Sequence, residues 1–363
     1  MRLKRFLNSL KKILINGGLF VLVGFFTYRT VFATSDFHSV IHHAEQSHFE
    51  FLLWGLAMIV LMLCAETMMV KRNLWLLGEQ QSLRQCLLYT FAGNFFSGIT
   101  PAATGGQPME IYMMHKKGVS AIHGTLALVM DLANYQLSVT LLGIVGYLSF
   151  GPLIHRLLGV YIWLLWLGLG LNTVLLILLL FAMFSKRFIF RLTELAALLV
   201  SLFSKNRAVS FRESAKTAIA QYQASAELFR KNKVYCLVNL LITVVRILAM
   251  HSAPFWVYKS LGLSGVSPFE IIALQSTLYI SCAALPFPGG IGIAENSFLH
   301  YFNAVFPGSL LQSSMILSRG IGSYMTIALS GSVLAAVFAL SLFHKKQKLC
   351  RKSFSEKIID QTD

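Results

Sequence analysis

Two short glycine-rich breaks, Thr100-Pro-Ala-Ala-Thr-Gly-Gly-Gln-Pro108 and Leu285-Pro-Phe-Pro-Gly-Gly-Ile-Gly292, cut into long apolar stretches of this chain. Inside a bilayer, backbone that leaves the helix survives only where protein or a watery cavity satisfies its N–H and C=O groups. Paired interruptions in the two halves of a membrane protein are also the best sequence pointer to a transport site. The breaks therefore fix the class of architecture before any other feature is considered: an all-α, polytopic bundle with two broken hairpins.

Composition supports the membrane setting. Of 363 residues, 56% are apolar and only 13% charged, and the mean hydropathy is +0.65. A soluble domain of this length is far more polar. Several stretches exceed the roughly 18–20 residues needed to cross a hydrocarbon core of about 30 Å. The net charge of +16 is concentrated between the apolar stretches, so anionic lipid and membrane orientation explain it better than nucleic acid. The five cysteines are scattered without a Cys-x-x-Cys pair, which argues against both a disulfide framework and a zinc site.

The excess of Lys and Arg in particular loops orients the chain. Arg2, Lys4, Arg5, Lys11 and Lys12 place the N-terminus in the cytoplasm. A retained first span of about 13–33 follows, with no small-residue cleavage pattern after it. The loop 34–50 has no Lys or Arg and belongs outside, and a second span of about 51–70 returns to Lys71 and Arg72. Arg84 and Lys116–Lys117 then flank the first break, so both sides of it face the cytoplasm. The expectation is a re-entrant hairpin over about 82–115 that turns at Thr100, Pro101, Gly105 and Gly106. Pro108 suits the start of the returning half-helix, where its missing N–H costs nothing.

Further spans are expected over about 119–149, 158–183, 234–258 and 311–343, with a basic connector over 186–233 and a basic tail over 344–363 on the cytoplasmic side. Within the connector, 188–203 is apolar enough to lie in the membrane interface; the alternative is a solvated linker. Ser267-Pro-Phe-Glu270 is a helix start, with Ser267 as cap and Pro268 first in the helix. The segment 268–306 carries the second break at Pro286, Pro288, Gly289 and Gly290 and must enter and leave on the outer side. It does so either as a second re-entrant hairpin or as two full spans. Two hairpins entering from opposite faces are what an inverted repeat produces.

Ionisable groups inside such spans cost roughly 2.5–3.5 kcal/mol each, so each needs a reason. Asp131 and Arg246 fall near the middle of their spans, and Arg319 about eight residues into the last one. They are either a structural pair, Asp131 with Arg246 or with Arg319, or the lining of a pathway. In a pathway the two arginines would hold a lipid phosphate, because a guanidinium matches phosphate oxygens in a fork. Half-helix N-termini near Gln107 and Gly290 would add free N–H groups and a positive dipole end. Glu110 and Glu295 would balance charge or meet a cationic head group, or simply compensate a helix dipole. Glu66, five residues before Lys71, is expected to reach the interface, and Asn94 and Gln275 either to line a cavity or, the preferred reading, to make interhelical hydrogen bonds. His38 and His42 have helical i,i+4 spacing, but without a flanking signature no metal site is expected. No Walker-type loop, nucleophile elbow or His-Glu-x-x-His is present, so no catalytic residue or cofactor is assigned.

Gly93-Asn94, Thr100-Pro101, Gly105-Gly106-Gln107-Pro108, Gly118-Val-Ser120, Asp131, Pro286-Phe-Pro-Gly-Gly-Ile-Gly-Ile-Ala-Glu295 and Arg319 together carry a resemblance over about 10–343. The chain resembles the membrane region of the lysylphosphatidylglycerol synthetases, the flippase-like family that includes the multiple peptide resistance factor. The resemblance implies a cell-membrane protein of lipid metabolism and antibiotic resistance. In full-length relatives a soluble domain moves lysine from lysyl-tRNA to phosphatidylglycerol, and the membrane part carries the product outward. With only the twenty residues of 344–363 after the last span, that soluble domain is not expected in this chain. Many relatives have an acidic residue and then Arg where this chain has Gln107 and Glu110, which reverses local charge at the first break.

The expected function is a translocase for an anionic or aminoacylated phospholipid such as lysylphosphatidylglycerol. The alternatives are a phosphatidylglycerol lysyltransferase or the membrane partner of a separate synthase. The expected partners are an anionic phospholipid, such a synthase and a second copy of the chain, with no nucleic acid bound directly.

Overall fold

The computed structural model describes residues 37–100, 103–201, 205–283, 293–337 and 339–340. The expected first span, Pro101, the second break with Pro286, Pro288, Gly289 and Gly290, and the basic tail lie outside the described residues. Among the described residues all regular structure is helical. The elements are α1 (Phe37–Glu45), α2 (Phe49–Leu76), α3 (Leu83–Ile99), α4 (Gly106–Lys116), α5 (Ala121–Leu158), α6 (Ile162–Phe184), α7 (Lys186–Ser201), α8 (Lys205–Lys231), α9 (Lys233–His251), α10 (Ala253–Ser260), α11 (Pro268–Ala283), α12 (Ile293–Tyr301) and α13 (Gly308–Arg319). A π-helical turn, Gly320–Tyr324, follows α13, and the helical stretch continues to Val337.

Among the described residues, four stretches are long and apolar enough to cross a membrane: Phe49–Leu76, Ala121–Phe184, Lys233–Ser260 and Gly308–Val337. The second contains two helices. α5 kinks at Phe150, two residues before Pro152, where the proline ring displaces the helical carbonyl before it. It ends at Gly159, whose φ of +49° lets the chain turn into α6.

The first hairpin is built from local signals. Ser82 and Gln85 form a capping box at the start of α3, with Ser82 Oγ accepting the Gln85 N–H and Gln85 Oε1 accepting the Ser82 N–H. Thr100 closes the turn: its hydroxyl donates to the Phe96 carbonyl at 2.6 Å and accepts the Gly105 N–H at 2.9 Å. α4 then returns against α3. It starts at Gly106, so Pro108 occupies its third position rather than its first. The first helical N–H groups are all without intrahelical partners, which makes proline as cheap there as at the first position.

The base of the hairpin is pinned by Glu79, whose Oε1 accepts the Ser120 N–H at 3.1 Å and contacts His123 Nδ1 at 2.8 Å. The second half of the molecule centres on α11, which packs against both α5 and α6. At Gly168 of α6 any Cβ would meet the backbone of Ile280, the close approach that small residues permit between membrane helices. Ser267 Oγ accepts the Glu270 N–H at 3.3 Å and caps α11.

Apolar clusters lie above and below a polar layer. Along α5, Leu126, Ala127, Leu128 and Met130 belong to one buried cluster and Val139, Ile154 and Leu158 to another. Between them come Asp131, Asn134, Gln136 and Ser138, the last three buried. Along α2, Ile59, Met62 and Leu63 precede Glu66 and Thr67, and Val70 and Leu74 follow. The two helices thus bring their polar residues to a common depth.

Candidate functional site: a buried ion cluster between the spans

Arg246 is the centre of the polar layer. Its Nη2 lies 2.7 Å from Glu66 Oε1, and its Nη1 lies 3.1 Å from Asp131 Oδ2 and 3.3 Å from Oδ1. The side chains of Arg246, Glu66 and Asp131 are only 13%, 10% and 14% exposed. Asn94 of the hairpin donates to Glu66 Oε2 at 2.8 Å. The Arg246 guanidinium also lies over the Tyr135 ring, 5.4 Å from its centroid, and the Tyr135 hydroxyl donates to that of Tyr279 at 2.7 Å.

At about 1.5 Å per helical residue, Asp131 lies about 15 Å from the start of α5, Glu66 about 15 Å from the end of α2 and Arg246 about 20 Å from the start of α9. The α5 and α9 ends carry Lys117 and Lys233 nearby. The depth is that of the middle of a hydrocarbon core about 30 Å thick.

Glu110 joins this group from α4. It is 7% exposed, and its carboxyl lies directly against Gly93 of α3, where a Cβ would collide with it. Glu66 and Asp131 thus contact the single guanidinium directly, and Glu110 stands within electrostatic range of all three. Sequence reasoning placed Glu66 at the interface; the structure buries it. α2 continues past Lys71 to Leu76, so the nearby cations do not mark the membrane edge. Arg72 turns aside, donating to Asn239 Oδ1 at 2.8 Å and lying over the Tyr235 ring. Asn239 in turn donates to Asn73, and Asn73 to the Ala127 carbonyl. This second polar tie across α2, α9 and α5 went unnoticed in the sequence, though an Arg-Asn pair inside an apolar helix is a usable signal.

Of the two pairings considered for Asp131, the structure forms the one with Arg246. Arg319 instead faces Glu295, Nη2 to Oε1 at 3.2 Å, with side chains 26% and 7% exposed. Glu295 is the third residue of α12, and Arg319 is the last of α13 before the π turn. Such turns recur at functional sites because they rotate the following helix face. The expected single constellation is thus two groups, one around Arg246 and one at Arg319 and Glu295. Gln107 is exposed, and Thr100, Gly105 and Gly106 serve the turn.

The arrangement presents Arg246 with both sides of its fork already occupied. A phosphate could reach it only by displacing a carboxylate, which would then need a cation. Several polar atoms nearby in sequence are buried without hydrogen-bond partners among the described residues: Asn134 Nδ2 and Ser138 Oγ on α5, His251 Nε2 on α9 and Gln275 Oε1 on α11. His251 Nδ1 meets Ser276 Oγ at 2.9 Å. On α1, His43 Nδ1 meets Ser313 Oγ at 2.8 Å, and no group of three or more metal-ligating side chains converges among the described residues.

Long apolar helices, a broken hairpin and a buried ion cluster define a polytopic helical membrane protein with a polar centre at mid-bilayer. Residues 13–330 match the model of the lysylphosphatidylglycerol synthase TM region, and the chain belongs to that family. It is a membrane protein of lysylphosphatidylglycerol biology. No curated protein matches it.

Proposed function

We propose that this protein is a translocase that carries the head group of an aminoacylated phosphatidylglycerol between leaflets. The proposal places it in the plasma membrane with both termini in the cytoplasm, as its basic loops suggest. The observation that carries the reading is Arg246 held between Glu66 and Asp131, with Glu110 beside them, where the hairpin meets the spans.

A lysylated head group bears a phosphate and ammonium groups together. It can exchange partners with this cluster: phosphate takes the Arg246 fork while ammonium takes the freed carboxylates. Opening a buried ion pair without replacement costs about 3–5 kcal/mol, and the exchange leaves no charge unpaired. Unmodified phosphatidylglycerol, which is purely anionic, would strand the carboxylates. The same logic makes Glu110 a carboxylate that meets the cation, and Arg319 with Glu295 a second exchange point beside the other break. Passage then follows alternate exposure of the centre to each side, as opposed broken hairpins allow.

A leaflet-resolved assay with purified protein in vesicles tests the reading. Wild type should move labelled lysylphosphatidylglycerol, and Arg246→Ala should not; a wild-type protein that moves none sinks the proposal. The family description favours one other reading, a lysyltransferase or its membrane partner. Lysylated lipid in extracts of cells expressing this chain alone would support that reading instead.

A further inference from the structure

Apart from Asn172 and Thr173, α6 is apolar; it is about 34 Å long, with Phe181 and Phe184 exposed near its end. A single residue, Ser185, separates it from α7. The Ser185 hydroxyl accepts the Phe188 N–H, and the Phe181 and Phe188 rings stack at 6.1 Å. The start of α7 is therefore held at the level where a crossing helix leaves the hydrocarbon, which is where lipid head groups lie.

An open groove of about 410 Å³ runs between α7 and α8, lined by Lys186, Arg187, Phe190, Arg191, Ile219 and Gln223. The lining follows helical spacing: Lys186 with Phe190 and Arg187 with Arg191 on α7, Ile219 with Gln223 on α8. Among the described residues none of the three cations is ion-paired. No acidic residue occupies the first turn of α7, so two cations sit at the positive end of a helix dipole. That placement is unfavourable for the helix alone and is relieved by an anion. α7 exposes Phe190 within the groove and Leu195 and Leu198 beyond it, each by half or more. An exposed apolar strip beside cations is the pattern of a helix lying in a membrane surface. α8 anchors the groove to the bundle, with Phe229 and Ala226 buried in the same cluster as Met183.

We propose that this groove is a binding site for the phosphate of an anionic phospholipid in the leaflet that α6 leaves. Lys186, Arg187 and Arg191 hold the phosphate, while Phe190 and Ile219 cover the glycerol and upper acyl chain. The site is separate from the ion cluster at mid-membrane and does not depend on the translocase reading.

Native mass spectrometry of the full chain in detergent, titrated with phosphatidylglycerol or phosphatidylcholine, tests it. Wild type should retain phosphatidylglycerol in preference to phosphatidylcholine. Arg187→Gln with Arg191→Gln should weaken that retention about fivefold per cation removed, and Arg187→Lys with Arg191→Lys should restore most of it. Equal retention by wild type and the glutamine variant overturns the site. So does displacement of the lipid by millimolar inorganic phosphate, which would mark a site for the free anion. Independently of any variant, a photoactivatable phosphatidylglycerol should label wild-type peptides covering 186–191 or 219–223, and labelling confined to other segments also overturns it.

Discussion

The carboxyl of Glu110 rests on Gly93 across the first hairpin, in space that a Cβ on residue 93 would occupy. The contact joins the two halves of the hairpin and delivers a carboxylate from the returning helix to the ion cluster. Gly93→Ala should therefore destabilise the protein by about 1–3 kcal/mol through overpacking. Gly93→Ala combined with Glu110→Ala should recover much of the loss. Thermal unfolding in detergent, followed by tryptophan fluorescence, reads both. Equal destabilisation by the single and double variants would show that the contact does not set the packing.

Arg246 is the ion-pair partner of two carboxylates, whereas Glu66 shares Arg246 with Asp131. Arg246→Ala should cost about 3–5 kcal/mol because it leaves buried carboxylates without a partner. Glu66→Gln should cost less, since Asp131 still holds the guanidinium. Arg246→Lys should fall between them, because an ammonium carries the charge but cannot fork. The order of the three melting temperatures is the measurement.

The hydroxyls of Tyr135 and Tyr279 have each other as partners at 2.7 Å. Tyr135→Phe and Tyr279→Phe should each cost about 1 kcal/mol. The double variant should cost little more than either alone, because one hydrogen bond is lost in all three. Additive losses in a double-mutant cycle would show that the bond contributes nothing.

Thr100 ties the hairpin turn through two hydrogen bonds, to Phe96 and from Gly105. Thr100→Val removes both and should loosen the turn, raising the alkylation rate of a cysteine placed at exposed Ala103 severalfold. Thr100→Ser keeps the hydroxyl and should leave the rate near that of wild type. A valine variant that reacts no faster would remove Thr100 from this role.

Much of the architecture is legible in residue order. Long apolar stretches dictate helices, because in lipid each backbone group must be satisfied within its own segment. Ser82, Thr100, Gly105 and Gly118 punctuate the hairpin through short-range bonds and backbone freedom, and all of these act over a few residues. Asp131 and Arg246 stand out for the same reason, as charges where charge is costly.

Partner choice was not legible. Glu66 is the carboxylate closest to Arg246, yet its nearness to Lys71 pointed to the membrane edge. Its true depth follows from how far α2 continues, and its direction from how α2 is rotated against α9. Glu110 reaches the cluster because Gly93 leaves it room on another helix, and Arg319 meets Glu295 because α12 and α13 pack together. Helix formation is a property of neighbours along the chain. The rotation and depth of one helix against the next come from summed side-chain packing between residues as much as 180 positions apart, Glu66 and Arg246 among them.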